Sequence, residues 1–286
     1  MRLLKIVILV IFLITAVVYG VIFAREKFTE DNQAPVIKAD VDEITVSVNA
    51  DESELLQGMS ATDNKDGDVT DSLVVVAELD FITKGTRKVN YAAFDAHNNV
   101  ATYTRTITYS DYRSPHISST VPFHFVYAGT TSSSNLFSQV RADDVLDGDL
   151  TASIRVVYGS SNEAGTVYPV VLNVTNSAGD TATVSVNVYR EDNATYAIPS
   201  PALSDYIVYT KVGQSINPWD YVKGYYTNGK LIEFTENSRY TSDNIDWDES
   251  GVNYDTPGEY IITYRMYGNG EEGELRSVEQ YIIVEG

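Results

Sequence analysis

One feature constrains the fold more than any other: the chain repeats itself. The stretch "ATDNKDGDVTDSL" at 61–73 returns as "ADDVLDGDLTASI" at 142–154. The offset is 81 throughout (144 − 63, 147 − 66, 151 − 70), and it also carries Asp95 onto Asn176, Asn98 onto Gly179 and Ala101 onto Ala182. Asn and Gly are the residues that best tolerate a positive φ, so a single left-handed turn position explains the Asn98/Gly179 pair. A period this long belongs to tandem domains rather than to a solenoid. A third unit follows with weaker similarity. "TPGEYIITY" at 256–264 keeps the spacing of "TKGTRKVNY" at 83–91, with Gly258 for Gly85 and Tyr264 for Tyr91. In place of the Asp-Gly-Asp loop this unit carries "YYTNGKLIEF", where Asn228-Gly229 signals a hairpin turn.

Past residue 33 the texture is that of strands. Thr102, Thr104, Thr106 and Thr108 alternate with Ala101, Tyr103, Ile107 and Tyr109, and Val184, Val186 and Val188 alternate with Ser185, Asn187 and Tyr189. A two-residue period sends one row to a core and the other to water or a second sheet. Val, Thr, Tyr and Ile dominate these runs, as pleated surfaces favour. The expected class is all-β. Boundaries fall at prolines, in "APVI" from Ala34, "SPHI" from Ser114 and "IPSPAL" from Ile198, since proline suits the residue where a strand begins. The expected units are 34–112, 113–191 and a divergent 197–286.

The first residues are a different kind of sequence. "IVILVIFLITAVVYGVIFA", residues 6–24, runs without a charge. As a helix it would span about 28 Å, close to the hydrocarbon thickness of a bilayer. It is read as a transmembrane anchor with residues 1–5 cytoplasmic and the remaining domains extracellular, a single pass through the plasma membrane. The alternative is a signal peptide cleaved near Val18-Tyr19-Gly20, which releases a secreted form. Arg2 and Lys5 before the run are balanced by Arg25 and Lys27 after it, so basic residues alone leave the orientation open.

A formal charge of −20 over 286 residues argues against a nucleic-acid partner, because phosphates would be repelled. The chain has no cysteine, which removes disulfides, thiolate chemistry and Cys-based zinc sites. No Gly-x-Ser-x-Gly elbow, phosphate loop or His-Glu-x-x-His occurs. The reading is of a protein that is not an enzyme and needs no cofactor.

The Asp-Gly-Asp-x-Thr loop, the later glycine, the aromatic strand ending in Asp95, the Asn98-Asn99 turn and Arg105 together resemble one bacterial module. It is the immunoglobulin-like (Ig-like) domain family named after a pesticidal crystal protein, related to hyalin-repeat and other bacterial surface Ig-like domains. The first unit matches over nearly its whole length, with Asn98 where the family carries glycine. The second keeps Asp147-Gly148-Asp149 and Thr151 but has Val186 for the arginine. The third departs most. The resemblance implies tandem Ig-like β-sandwiches on a bacterial surface protein, and implies no enzyme activity.

Two groups of residues are candidates for a site. Asp63, Asp66, Asp68, Asp144, Asp147 and Asp149 offer oxygens of the kind calcium takes. The spacing fails as an EF-hand, because the third residue from Asp63 is Lys65. The favoured reading is a tight turn with no metal, in which aspartate bonds its own backbone and glycine supplies an awkward φ. In the third unit Trp219, Tyr225, Tyr226 and Trp247 lie among carboxylates and amides. Flat aromatic rings in such surroundings stack on sugars or anchor a protein partner, and ordinary sandwich packing is the competing account. The expected role is structural, adhesive or ligand-binding, with the membrane, an envelope protein or a polysaccharide as partner. An accessory carbohydrate-binding subunit, its sugar site on the third unit, is the rival.

Overall fold

The computed structural model describes residues 2–29, 31–126, 137–270 and 273–286, with no account of the side chains of 2–3 and 26–29. The chain forms two compact units, Met1–Asp111 and Tyr112–Gly286. The first opens with helix α1 (Arg2–Thr29), whose described side chains, from Leu4 to Arg25, are all exposed. Its stretch Leu4–Arg25 is 22 residues long and apolar enough to cross a membrane.

Seven strands and a single helical turn come after α1: β1 (Val36–Ala39), β2 (Glu43–Val46), α2 (Glu52–Leu55), β3 (Met59–Asp63), β4 (Gly67–Asp68), β5 (Val74–Thr83), β6 (Thr86–Phe94) and β7 (Val100–Tyr109). One sheet runs β1-β3-β4 and the other β2-β7-β6-β5, in which β2 lies parallel to β7 and the other pairs are antiparallel. The period-two rows of the sequence become the two faces. Val89, Tyr91, Ala93 and Ile107 are fully buried, while Lys88 on β6 and Thr104 on β7, at positions of the opposite parity, face out. Arg105 is also buried at 1 % exposure, its Nη1 donating to the Gln57 carbonyl at 2.8 Å.

The second unit contains the same arrangement twice. Strands β8 (His116–Ser119), β9 (His124–Val126), β10 (Val140–Asp144), β11 (Gly148–Asp149), β12 (Arg155–Tyr158), β13 (Val167–Thr175) and β14 (Thr181–Glu191) make sheets β11-β10-β8 and β12-β13-β14-β9. After a short helix α3 (Asn193–Ala197) come β15 (Ser200–Leu203), β16 (Ile207–Lys211), β17 (Val222–Thr227), β18 (Lys230–Glu233), β19 (Ile245–Asp248), β20 (Gly258–Tyr267) and β21 (Glu274–Glu285). These make sheets β15-β17-β18 and β16-β21-β20-β19. Strand for strand the three sandwiches agree, down to one parallel edge: β2 on β7, β9 on β14 and β16 on β21.

The divergent third sequence therefore keeps the topology. Tyr264 matches Tyr91 as expected: both are fully buried, and each hydroxyl donates to a backbone carbonyl, of Pro218 at 2.9 Å and of Leu55 at 3.0 Å. The matching glycines differ. Gly85 adopts φ 74° in the β5–β6 turn, whereas Gly258 opens β20 with no positive φ.

The last two sandwiches share one hydrophobic core, which runs from Ile117 and Val186 to Tyr206, Tyr281 and Ile282. Polar contacts fix the junction. The Ile117 amide donates to the Tyr209 hydroxyl at 2.8 Å, and the Asn187 amide to the Tyr281 hydroxyl at 2.7 Å. His116 stacks on Tyr209 with centroids 3.7 Å apart. Burial pushes the Tyr209 hydroxyl up to about 12, so it stays a neutral donor and acceptor at physiological pH.

Candidate functional site

The Asp-Gly-Asp loops are tight turns in both sandwiches that carry them. Gly67 and Gly148 adopt φ 74° and 72°, and Asn98 and Gly179 adopt 64° and 84°, as the repeat comparison requires. Asp63 Oδ1 accepts from the amides of Lys65 and Asp66 at 2.8 and 3.0 Å, and Asp144 Oδ1 accepts from Leu146 and Asp147 at the same distances. These amide bonds hold the Asp63 carboxyl below the ordinary aspartate range. Asp68 and Asp149 cap the next turn, accepting from Thr70 and Thr151.

The six aspartates thus divide. Asp68 and Asp149 are exposed caps, while Asp63 and Asp66 meet a residue that the loop does not contain. Their carboxylate oxygens and one of Asp95 lie within 4.8 Å of one another, and Asp31, Asp95 and His97 form a second such group. Asp31 and Asp95 are the members that motif reading missed. Asp95 sits on the turn after β6, and Asp31 stands two residues beyond the end of α1.

The aromatic candidates separate as well. Adjacent residues of a strand face opposite ways, so Tyr225 and Tyr226 on β17 cannot share a surface. Tyr225 is 4 % exposed, 5.3 Å from Tyr240 in an edge-on contact and 6.3 Å from Phe234. It is a core residue, and the ligand-binding expectation fails for it on burial. Trp219 and Trp247 form a tilted pair with centroids 6.0 Å apart. Trp219, on the turn capped by Asn217, is 38 % exposed, and Trp247 on β19 also contacts Tyr264 at 6.4 Å.

Tyr226 faces the other way, into a cleft of about 420 Å³ at the junction of the last two sandwiches. Tyr196, Gln139, His124 and Arg276 line the cleft with it. Gly229 of the predicted hairpin lies there too, packed so closely that a Cβ would come within 2.4 Å of the Tyr196 hydroxyl. Arg276 reaches under Tyr196, 5.9 Å from the ring centroid, and bonds Glu191 through Nε at 3.0 Å and through Nη2. His124 Nδ1 lies 2.7 Å from the same carboxylate and 3.2 Å from Arg276 Nη2. Burial works against ionisation of Glu191, but the bonds from His124 and Arg276 outweigh it and hold its carboxyl below the ordinary value. No one site gathers the four sequence candidates. The tryptophans form one patch, Tyr226 lines a cleft, and Tyr225 is internal.

Residues 30–109 match the family described as "Bacterial surface protein, Ig-like domain", which agrees with the resemblance carried by the first sandwich. No curated protein matches the chain. Among solved structures, the CBM51-2 and INT domains of Clostridium perfringens ZmpB, in complex with GlcNAc, are 16 % identical over 52 % of this chain and 26 % of that one, with a TM-score of 0.22. The Protocadherin GammaB4 extracellular domain is 12 % identical over 90 % of this chain and 50 % of that one, with a TM-score of 0.21. The chain spans about a quarter of the length of the first of these. Scores this low transfer neither fold nor function.

Proposed function

We propose that the chain is a membrane-anchored surface protein whose Ig-like sandwiches act outside the bilayer in a structural, adhesive or ligand-binding role. The observation that carries this reading is α1. Its described side chains from Leu4 to Arg25 are all exposed, so the uncharged apolar surface of residues 6–24 needs a cover from outside the fold. At 1.5 Å per residue those 22 residues span about 33 Å, enough for a hydrocarbon core of about 30 Å. The match of residues 30–109 to a bacterial surface family supports an exterior position for the sandwiches. The protein should sediment with membranes and retain residues 6–24, and protease added to intact cells should digest the sandwiches. A soluble product whose first residue lies near Val21 rejects the anchor in favour of a cleaved signal. Sandwiches protected in intact cells reject the orientation.

The junction cleft favours a second, compatible reading, a carbohydrate-binding role. Tyr226 and Tyr196 offer ring faces, while Gln139 and Arg276 offer polar atoms that can orient a sugar hydroxyl. If glycans bind, Tyr226→Ala should weaken binding about tenfold or more with folding unchanged, the loss expected of an aromatic anchor. Binding that survives this change and disappears in Trp219→Ala places the site on the tryptophan pair instead.

A further inference from the structure

We propose that Asp31, Asp63, Asp66 and Asp95 form a calcium site in the first sandwich, and that the second sandwich has replaced the ion with hydrogen bonds of its own. Two groups of potential ligands share Asp95 here, Asp63 and Asp66 on one side and Asp31 and His97 on the other. Two oxygens on opposite sides of a calcium ion stand about 4.6–5.2 Å apart, and the oxygens of Asp63, Asp66 and Asp95 all lie within 4.8 Å of one another. Asp95 also belongs to the group with Asp31 and His97, so it joins the two sides of the site. Among the described residues, none of the four carboxylates has an ion-pair partner.

Burial supplies the independent sign of a ligand. Asp31 is 6 % exposed and Asp63 9 %, and the Oδ2 atom of each is buried with no hydrogen-bond partner. An orphaned buried carboxylate oxygen is costly unless something positive meets it. The other oxygens are occupied in ways that aim these two. Asp31 Oδ1 accepts from the Gln33 amide at 3.1 Å, and Asp63 Oδ1 from the amides of its own turn. Asp66 Oδ2 accepts from the Ala96 amide at 2.9 Å; Asp95 accepts from the amides of His97 and Asn99 at Oδ1, both at 2.8 Å, and from Asn99 Nδ2 at Oδ2 at 2.6 Å.

The second sandwich is the internal control. Adding 81 turns Asp31 into Tyr112, Asp63 into Asp144, Asp66 into Asp147 and Asp95 into Asn176. Two of the four charges are gone. The Asn176 amide donates to Asp144 Oδ2 at 3.2 Å and to the Tyr112 hydroxyl at 2.9 Å, and that hydroxyl donates to Asp180 at 2.7 Å. The oxygen left bare on Asp63 is thus satisfied on Asp144, by hydrogens standing where a cation would otherwise be needed. The carboxylate oxygens of the four aspartates outnumber the one imidazole, that of exposed His97, and so favour a hard cation, and a site assembled from separate turns suits the flexible coordination of calcium better than the strict octahedron of magnesium. Asp31 leads out of α1, so the ion would tie the segment leaving that helix to the turn after β6.

The test is calorimetric titration of the full chain in detergent, stripped with chelator and then given calcium chloride. Saturable binding is expected with a dissociation constant of about 1 mM or tighter, the range of extracellular calcium modules. Asp95→Asn, which copies the second sandwich, should weaken it by more than about tenfold, as should Asp31→Asn, which lies outside every strand. Asp144→Asn should leave it unchanged. The proposal is overturned by the absence of saturable heat up to about 10 mM calcium. It is equally overturned by equal affinity for magnesium, or by binding that follows Asp144 rather than Asp31 and Asp95.

Discussion

Arg276→Ala should destabilise the Tyr112–Gly286 unit by about 3 kcal/mol, the low end of the range for breaking a buried ion pair. Both partners are shielded: the side chains of Arg276 and Glu191 are 9 % and 8 % exposed. Removing the guanidinium strands a carboxylate that has lost water and kept one polar neighbour, His124 Nδ1 at 2.7 Å. That remaining bond is why the low end applies. The pair joins β14 to β21, so its loss acts on the junction of the two sandwiches rather than on either alone. Trp219 and Trp247 are the only tryptophans of the chain and both lie in this unit, so urea unfolding followed by tryptophan fluorescence reports it selectively. Glu191→Gln in the alanine background should recover part of the loss, because a neutral amide is cheaper to bury than a carboxylate. A loss below about 0.5 kcal/mol would mean that the pair behaves as a solvated surface bridge.

The same pair makes the unit acid-sensitive. The Glu191 carboxyl titrates below its ordinary value of 4.5 in the folded state, so its contribution is complete above that value and is lost as pH falls through the depressed one. His116 adds to this in the same direction. Burial lowers its pKa against the opposing pull of Glu285, so protonation is disfavoured in the fold and acid destabilises.

Much of the architecture was legible because strand faces and turns are written locally. The period of two in Thr102–Thr108 and Val184–Val188 set the buried rows, and the Asn98/Gly179 exchange marked a left-handed position that both residues occupy. The shared core of the last two sandwiches was not legible, because no local pattern encodes it. The Ile117 amide and the Tyr209 hydroxyl are 92 residues apart, and the Asn187 amide and the Tyr281 hydroxyl are 94. Residue type likewise could not separate Tyr225 from Tyr226. Their facing depends on the register of β17, which shifts between Ala202 and Leu203 of its neighbour β15. The acidic cluster was half legible. Reading what the two repeats share found Asp63 and Asp66, but the informative positions are those they do not share, where Asp31 corresponds to Tyr112 and Asp95 to Asn176.

Close approach of β18 makes Gly224 the most intolerant of the described glycines in the third sandwich. It pairs with Ala202 on one side and Glu233 on the other, and a Cβ there would lie 2.1 Å from the Ile232 carbonyl oxygen and 2.9 Å from the Glu233 Cα. Both obstacles are backbone held in a sheet, so neither can swing aside as a side-chain tip would. Gly224→Ala should therefore cost about 3 kcal/mol, the upper end of overpacking, through separation of β17 from β18. Gly213 is the control within the same unit. It has φ 79° and open space where its Cβ would stand, so Gly213→Ala should carry only the left-handed penalty of about 1 kcal/mol. Gly224 also has a positive φ, of 158°, so the excess of its loss over that of Gly213→Ala, in urea unfolding followed by tryptophan fluorescence, reports the steric cost. Equal losses would show that β17 and β18 can part without penalty, and would remove close backbone approach as the reason for glycine at 224.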